Sequence, residues 1–504
     1  SFALQATFPP PSRTSSSRMA AIVALAPLLA LLPAISGASV GEAHCGSSSG
    51  EECSHATAPG DDELGLLQRA RLVAHSGLPE DGSPEADTSG DDFGDRTFRN
   101  AAAILRRNIG WIPLAGQAKS DSECRMESDE DCPLRKMAPG NVTDVVPGPR
   151  YGTACLNSSS PYYFQVRRRA SDKLLLYFQG GGACWNNRSY HENLCTQSTV
   201  PGDLSGILNA TDLQNPYLDY TLVHVLFCSG DMHSGNTTQP WGPDGEEVQI
   251  RGYNNANSAV QWSLRQFKSL SHVVFAGCSA GSLGVQMWSE LIQQEFRGRT
   301  EKFTTFADSF AGVLYPPSLV QPAQAFLYDV WGICGLPLLN GAENELCLSG
   351  KLLLQEHFLL AMKDSEESEF AMINSKHDVV QIEFARAFIA TAMHSIEGAT
   401  MTAAEYYKYW NLEVQKYVKV DNFDVYAVDG LHHCFTPMQI VYTTTPQGKD
   451  GGGNGIILSD WMTGVASGEA ARFVCEGPLK EVTADGPAFL NPRYCDQAIA
   501  EAVD

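Results

Sequence analysis

Residues 272–292 constrain this chain more tightly than any other stretch. Val273, Val274 and Phe275 form an apolar β run, and Leu283, Met287, Trp288, Leu291 and Ile292 follow at helical spacing. A strand therefore runs straight into a helix. The corner between them reads Gly277-Cys278-Ser279-Ala280-Gly281, a G-x-S-x-G pattern in the setting that gives it meaning, with the serine on a tight turn and its hydroxyl thrust out of the sheet. The amide of Ala280 lies at the helix start, where N–H groups lack intrahelical acceptors and can stabilise an oxyanion. A glycine-rich turn of this kind also occurs in α/β folds without any such chemistry, so its meaning rests on partners elsewhere.

Upstream, residues 174–178 form an apolar strand that opens into Gly180, Gly181, Gly182 and Ala183. A second oxyanion donor of an esterase belongs in this position, because backbone without a Cβ can approach a developing negative charge. A phosphate-binding loop would want Gly-Lys-Ser/Thr next, which is absent, and the net charge of −23 speaks against a nucleic acid partner.

A nucleophilic serine needs a general base, and the base an orienting carboxylate, here expected in the chain order Ser, Asp/Glu, His. Asp308 and Asp378 each follow a predicted strand, and position alone does not separate them. For the base, His432 and His433 follow the strand 423–428 and the turn Asp429-Gly430. His224, His233, His357, His377 and His394 are rivals of types more often found in cores or on surfaces. A metal bound by His432, His433 and Cys434 would want further ligands at regular spacing, and none stands nearby.

Strand patterns at 163–166, 173–179, 222–228, 303–307, 370–374 and 423–428 alternate with helical ones, including 255–270. The fold class expected is α/β, an α/β-hydrolase-like, mainly parallel sheet with helices on both faces, binding ligand beyond the carboxyl ends of its strands. Residues 1–18 read as an upstream extension, and 19–40, apolar and uncharged with small residues at the end, as a signal peptide. A signal anchor is the alternative. Residues 41–139 read as an acidic, largely disordered leader, since 51–96 hold twelve acidic residues against three basic. A helix over 97–107 and the stretch 124–132 lead into a catalytic domain at 140–504. Fourteen scattered cysteines and five N-x-S/T triplets, at Asn141, Asn157, Asn187, Asn209 and Asn236, suit a secreted, disulfide-containing protein.

Four segments resemble the pectin acetylesterase and Notum-like carboxylesterases: residues 177–187, from Tyr177 to Asn187; 228–235, Cys-Ser-Gly-Asp-Met-His-Ser-Gly; 277–284, around Ser279; and Asn374-Ser375-Lys376-His377-Asp378, followed later by His433-Cys434. The resemblance covers roughly 140–498. It implies Ser279, Asp378 and His433 as the catalytic triad, the amides of Gly182, Ala183 and Ala280 as the oxyanion hole, Trp185 and Asn186 in substrate binding, and a structural role for Asp308. Where plant members read Gly-Gly-Gly-Trp-Cys, this chain reads Gly-Gly-Gly-Ala-Cys-Trp. The implied activity is removal of acetyl groups from a pectin-like or other cell-surface polysaccharide by a secreted monomer, with no cofactor or metal and no membrane insertion. One alternative is removal of a fatty acyl group from a protein, and another is a non-catalytic extracellular binding module, whose mark would be the loss of a triad residue.

Overall fold

A computed structural model describes residues 96–103, 120–365, 367–443, 446–449, 455–470 and 473–475. The expected extension, signal peptide and most of the acidic leader lie outside the described residues; of the helix expected over 97–107, residues 96–103 are described and helical.

Ten strands form one sheet: β1 Ser122–Met126, β2 Val142–Pro147, β3 Phe164–Arg167, β4 Lys173–Phe178, β5 Thr221–Val225, β6 His272–Cys278, β7 Phe303–Asp308, β8 Ser368–Ser375, β9 Phe423–Val428 and β10 Phe473–Cys475. Their order is β1-β2-β3-β5-β4-β6-β7-β8-β9-β10. β3 is antiparallel to both of its neighbours, and every other pairing is parallel.

The fold is thus the mainly parallel α/β sheet expected, with one correction at its edge. β1 pairs with β2 and so belongs to the sheet, which starts upstream of the expected boundary at 140. Its sequence, Ser-Glu-Cys-Arg-Met, has three exposed positions and a single buried one, so it carries no apolar alternation by which to be recognised.

The central strands bury both faces, as parallel strands must. Val273 and Phe275 of β6 point into one core and Val274 and Ala276 into the other, the period of two of a strand. The first core is covered by α1 Gly252–Gln266, α2 Ala280–Phe296, α3 Val320–Trp331, α4 Gly341–Leu348, α5 Leu354–Lys363, α6 Val379–Ala392 and α7 Ala403–Tyr417. The second is covered by α8 Leu458–Ser467, through Trp461, Met462 and Val465. Among the described residues no helix is long and apolar enough to cross a membrane.

Disulfides join Cys124–Cys132, Cys155–Cys228, Cys184–Cys195, Cys278–Cys434 and Cys334–Cys347.

At the corner between β6 and α2 the backbone leaves no room for side chains. A Cβ on Gly281 would stand 2.0 Å from the carbonyl oxygen of Phe178, and one on Gly277 2.6 Å from that of Gly281. The obstructing atoms are backbone, so they cannot swing aside. Gly281→Ala is expected to lower unfolding free energy by at least about 1–3 kcal/mol, the usual cost of overpacking. Urea denaturation measures this, and an unchanged midpoint would show that the corner can open.

Candidate active site

Four strand ends deliver the site. β6 ends at Cys278, and Ser279 follows with φ 58° and ψ −121°, a left-handed conformation costing about 1–3 kcal/mol in a residue with a side chain. The corner holds it there: the Ser279 amide donates to the carbonyl of Asp308 at 2.9 Å, and the amides of Ser282 and Leu283 donate to the Ser279 carbonyl.

Asp378 lies just past β8 and is fully buried. It is the N-cap of α6, its Oδ1 accepting from the amides of Val380 and Gln381 at 3.0 Å each, while Oδ2 accepts from the Gln381 side-chain amide at 2.9 Å. A carboxylate at a helix N-terminus is favoured by the unpaired amides and the dipole there.

His433 follows β9, and its Nδ1 lies 2.7 Å from Asp378 Oδ2 and 3.0 Å from Oδ1. Since Asp378 already accepts from three N–H groups, Nδ1 carries the proton and donates it. Nε2 is left as an acceptor, and among the described residues it is buried without a hydrogen-bond partner. Ser279 and His433 line one cavity, with no hydrogen bond between them.

The two carboxylates that position left open now part company. The His433 ring bonds Asp378 and not Asp308; Asp308 takes hydrogen bonds from the loop after His433, with Oδ2 accepting from the amides of Phe435 and Thr436 at 2.8 and 2.7 Å.

The three amides expected to face an oxyanion also differ. Those of Gly182 and Ala280 have no acceptor among the described residues, and both residues line the cavity. That of Ala183 is engaged with the Leu194 carbonyl at 3.1 Å, a correction. The cause is the bridge between Gly182 and Cys195, reinforced by the Cys184–Cys195 disulfide, which folds the chain back on this loop.

Asn186 requires a second correction. Its side chain accepts from the Ser189 amide at 2.8 Å and caps the short helix Asn187–His191, and it does not line the cavity. Trp185 is a cavity wall, its indole N–H donating to Thr391 Oγ1 at 3.0 Å and its ring edge-on to Phe388.

Carbon lines the cavity: Leu283, Phe310, Leu327, Trp331, Phe384 and Phe388 are among its walls. Its two glutamines turn their amides away. Gln381 bonds Asn374, Asp378 and the Ala311 amide, and Gln324 bonds Gln355 and the Leu354 amide. These walls come from α2, α3, α6 and the loops between, so no local motif announced them. Gln381 did leave a signal, the Asp-x-x-Gln spacing of a helix start.

No rival histidine lines this cavity. His233 Nε2 donates to the Gln179 carbonyl, His357 pairs with Glu343 at 2.7 Å, His394 is exposed, and His377 packs edge-on to Tyr407. His432 Nε2 bonds the Cys434 carbonyl, and burial lowers its pKa to about 4. A thiolate is unavailable to a metal beside His433, because Cys278 and Cys434 are bonded to each other.

Residues 140–313 match the pectinacetylesterase family model. The palmitoleoyl-protein carboxylesterase Notum of Schmidtea mediterranea is 26% identical over 161 residues, covering 29% of this chain and 30% of that protein. The chain thus matches less than a third of that relative's length. A crystal structure of the Wnt deacylase Notum from Drosophila covers 64% of this chain and 92% of its own, at 16% identity and a TM-score of 0.45.

His224 is buried with neither ring nitrogen partnered among the described residues, and burial holds its pKa near 3. An unfolded histidine takes up a proton near pH ~6.5. The stability supplied by keeping this ring neutral is therefore complete above about pH 6.5 and is lost as pH falls from there towards 3. Between about pH 7 and pH 4 the wild type is expected to lose more unfolding free energy than His224→Phe. Denaturant titrations at each pH measure this, and equal pH slopes would refute it.

Proposed function

We propose, from the match of residues 140–313 to the pectinacetylesterase family model, that the chain is a secreted serine carboxylesterase of that kind whose preferred ester carries a hydrophobic acyl chain. The observation that carries this reading is a carbon-lined cavity shared by Ser279 and a histidine whose Nδ1 is held by a buried carboxylate. The apolar sequence of residues 19–40 and the five disulfides support export to an oxidising compartment.

In the proposed reaction His433 Nε2 removes the proton of Ser279 Oγ as that oxygen attacks the ester carbonyl carbon. The carbonyl oxygen becomes an oxyanion beside the unpaired amides of Gly182 and Ala280, where fixed N–H dipoles need no reorganisation. Protonated His433 then gives its proton to the departing alkoxide, and the alcohol leaves. Water, deprotonated by the same nitrogen, attacks the acyl-enzyme, and the carboxylic acid is released with Ser279 restored. Asp378 keeps the proton on Nδ1 throughout and stabilises the imidazolium.

The lining argues for the length of the acyl group. An acetyl methyl would cover little of a cavity walled by leucines, phenylalanines and tryptophans, whereas a longer chain would exchange water for carbon along it. Acetyl removal from a polysaccharide is the second reading, favoured by the pectinacetylesterase match over 140–313.

Hydrolysis of p-nitrophenyl esters of increasing acyl length tests both. Each methylene buried stabilises by ~0.8 kcal/mol, so kcat/KM is expected to climb about fourfold per added CH2 beyond acetate until the cavity is filled. A maximum at acetate would replace this reading with the second. Ser279→Ala is expected to abolish hydrolysis at unchanged thermal stability, and retained turnover would remove the serine mechanism. Asp378→Asn is expected to cut kcat by roughly 10³- to 10⁴-fold through the wrong histidine tautomer, read from the same assay.

A further inference from the structure

Asp308 is fully buried at the end of β7, and the reaction proposed above does not use it. Its carboxylate nevertheless collects four hydrogen bonds. Oδ2 accepts from the amides of Phe435 and Thr436 and from the Thr436 hydroxyl at 2.7 Å, and Oδ1 accepts from the Ser309 hydroxyl at 2.7 Å. Because Thr436 Oγ1 spends its proton on Asp308, the Tyr177 hydroxyl 3.2 Å away is the donor to that oxygen. Ser309 Oγ, with its own proton committed to Asp308, accepts from the Cys434 amide at 2.8 Å. With the carboxyl ionised, every direction in this network runs towards it. Burial raises the carboxyl's pKa and the four donors oppose that rise.

The three amides drawn to Asp308 and Ser309 belong to Cys434, Phe435 and Thr436, the three residues after His433. The backbone of Asp308 makes the complementary contact, its carbonyl taking the amide of Ser279 at 2.9 Å. Cys278 and Asp308 are register partners across β6 and β7, and Cys278 is joined to Cys434 by a disulfide. One residue thus grips the nucleophile by its backbone and the segment behind the base by its side chain. A covalent bridge spans the same two segments.

We propose that Asp308 is a positioning residue for hydrolysis, setting the separation of Ser279 and His433 by anchoring the loop 434–436 to the strand end that carries the serine. This rests on the esterase reading of the same site. The loop after β9 has no helix of its own until Gln439, so these bonds, with the Ile207 amide on the Thr436 carbonyl and the disulfide, are what anchor residues 434–436. Asp378 sets the direction of the ring; Asp308 sets where the backbone beneath it lies.

The test uses the secreted full chain and compares wild type with Asp308→Asn, Ser309→Ala and Thr436→Val in kcat, KM and thermal midpoint. Asparagine would turn an N–H towards amides that need an acceptor, and misplacement by about 1 Å costs about 100-fold in rate. The expected result is a kcat lowered about 10- to 100-fold, with KM within about twofold of wild type. Ser309→Ala and Thr436→Val each remove only part of the network and leave the buried carboxylate in place, so they decide the matter even where Asp308→Asn fails to fold. Wild-type kcat in both would overturn the proposal while leaving the esterase reading intact, as would parallel losses of kcat, KM and thermal midpoint, the mark of a purely structural role. A wild type without Ser279-dependent hydrolysis would overturn the reading itself and the proposal with it.

Discussion

The closeness of three backbones at the carboxyl edge of the sheet governs the rest of this structure. β4, β6 and β7 lie in register, with Phe178 beside Gly277 and Cys278 beside Asp308. The start of α2 then packs so tightly on the end of β4 that a Cβ on Gly281 would strike the Phe178 carbonyl. Close-packed backbone has no soft degree of freedom to absorb a shift. Ser279 is therefore held in its left-handed conformation by its surroundings, and the helix that follows starts at Ala280, whose amide has no acceptor among the described residues.

The second recurring device is the burial of carboxylates against neutral donors. Asp231 accepts from Ser229 Oγ and from the amides of Gly235 and Gly252, Asp308 from two amides and two hydroxyls, and Asp378 from two amides and the Gln381 side chain. Burying an ion is costly unless its lone pairs are satisfied, and each of these is. Backbone amides are fixed by the fold, so each aspartate ties chain segments that are remote in sequence. Asp231 ties the loop at 229–235 to the start of α1, Asp308 ties β7 to the loop after β9, and Asp378 ties α6 to His433. The disulfide between Cys278 and Cys434 repeats in covalent form what Asp308 does with hydrogen bonds.

The cavity follows from the same scaffold by a different route. Its two glutamines are consumed in holding the frame, Gln381 by Asp378 and Asn374, Gln324 by Gln355. What faces inward is then hydrocarbon from α2, α3 and α6. A site so arranged combines a few directed polar groups at one end with an apolar interior that excludes water, which strengthens every charge interaction at its mouth.

Much of this was legible in the residues. The strand-to-helix change of period around Ser279, the three glycines after β4 and the alternation of apolar runs with helical stretches are local patterns, and local backbone preference is written in local sequence. The Asp-Ser and Asn-Ser-Lys-His-Asp segments marked both candidate acids, which position left open and the resemblance alone told apart; which carboxylate meets Nδ1 of His433 depends on how β7, β8 and β9 are set side by side. The commitment of the Ala183 amide to Leu194, the capping role of Asn186, the membership of β1 in the sheet and the hydrocarbon lining escaped local reading for the same reason. Each depends on a partner distant in sequence, and no periodicity records where a distant partner will lie. The sequence by itself determined which residue types could do the chemistry and on which corners they sit; tertiary structure decided their partners, since hydrogen bonds and burial are properties of pairs brought together by the fold.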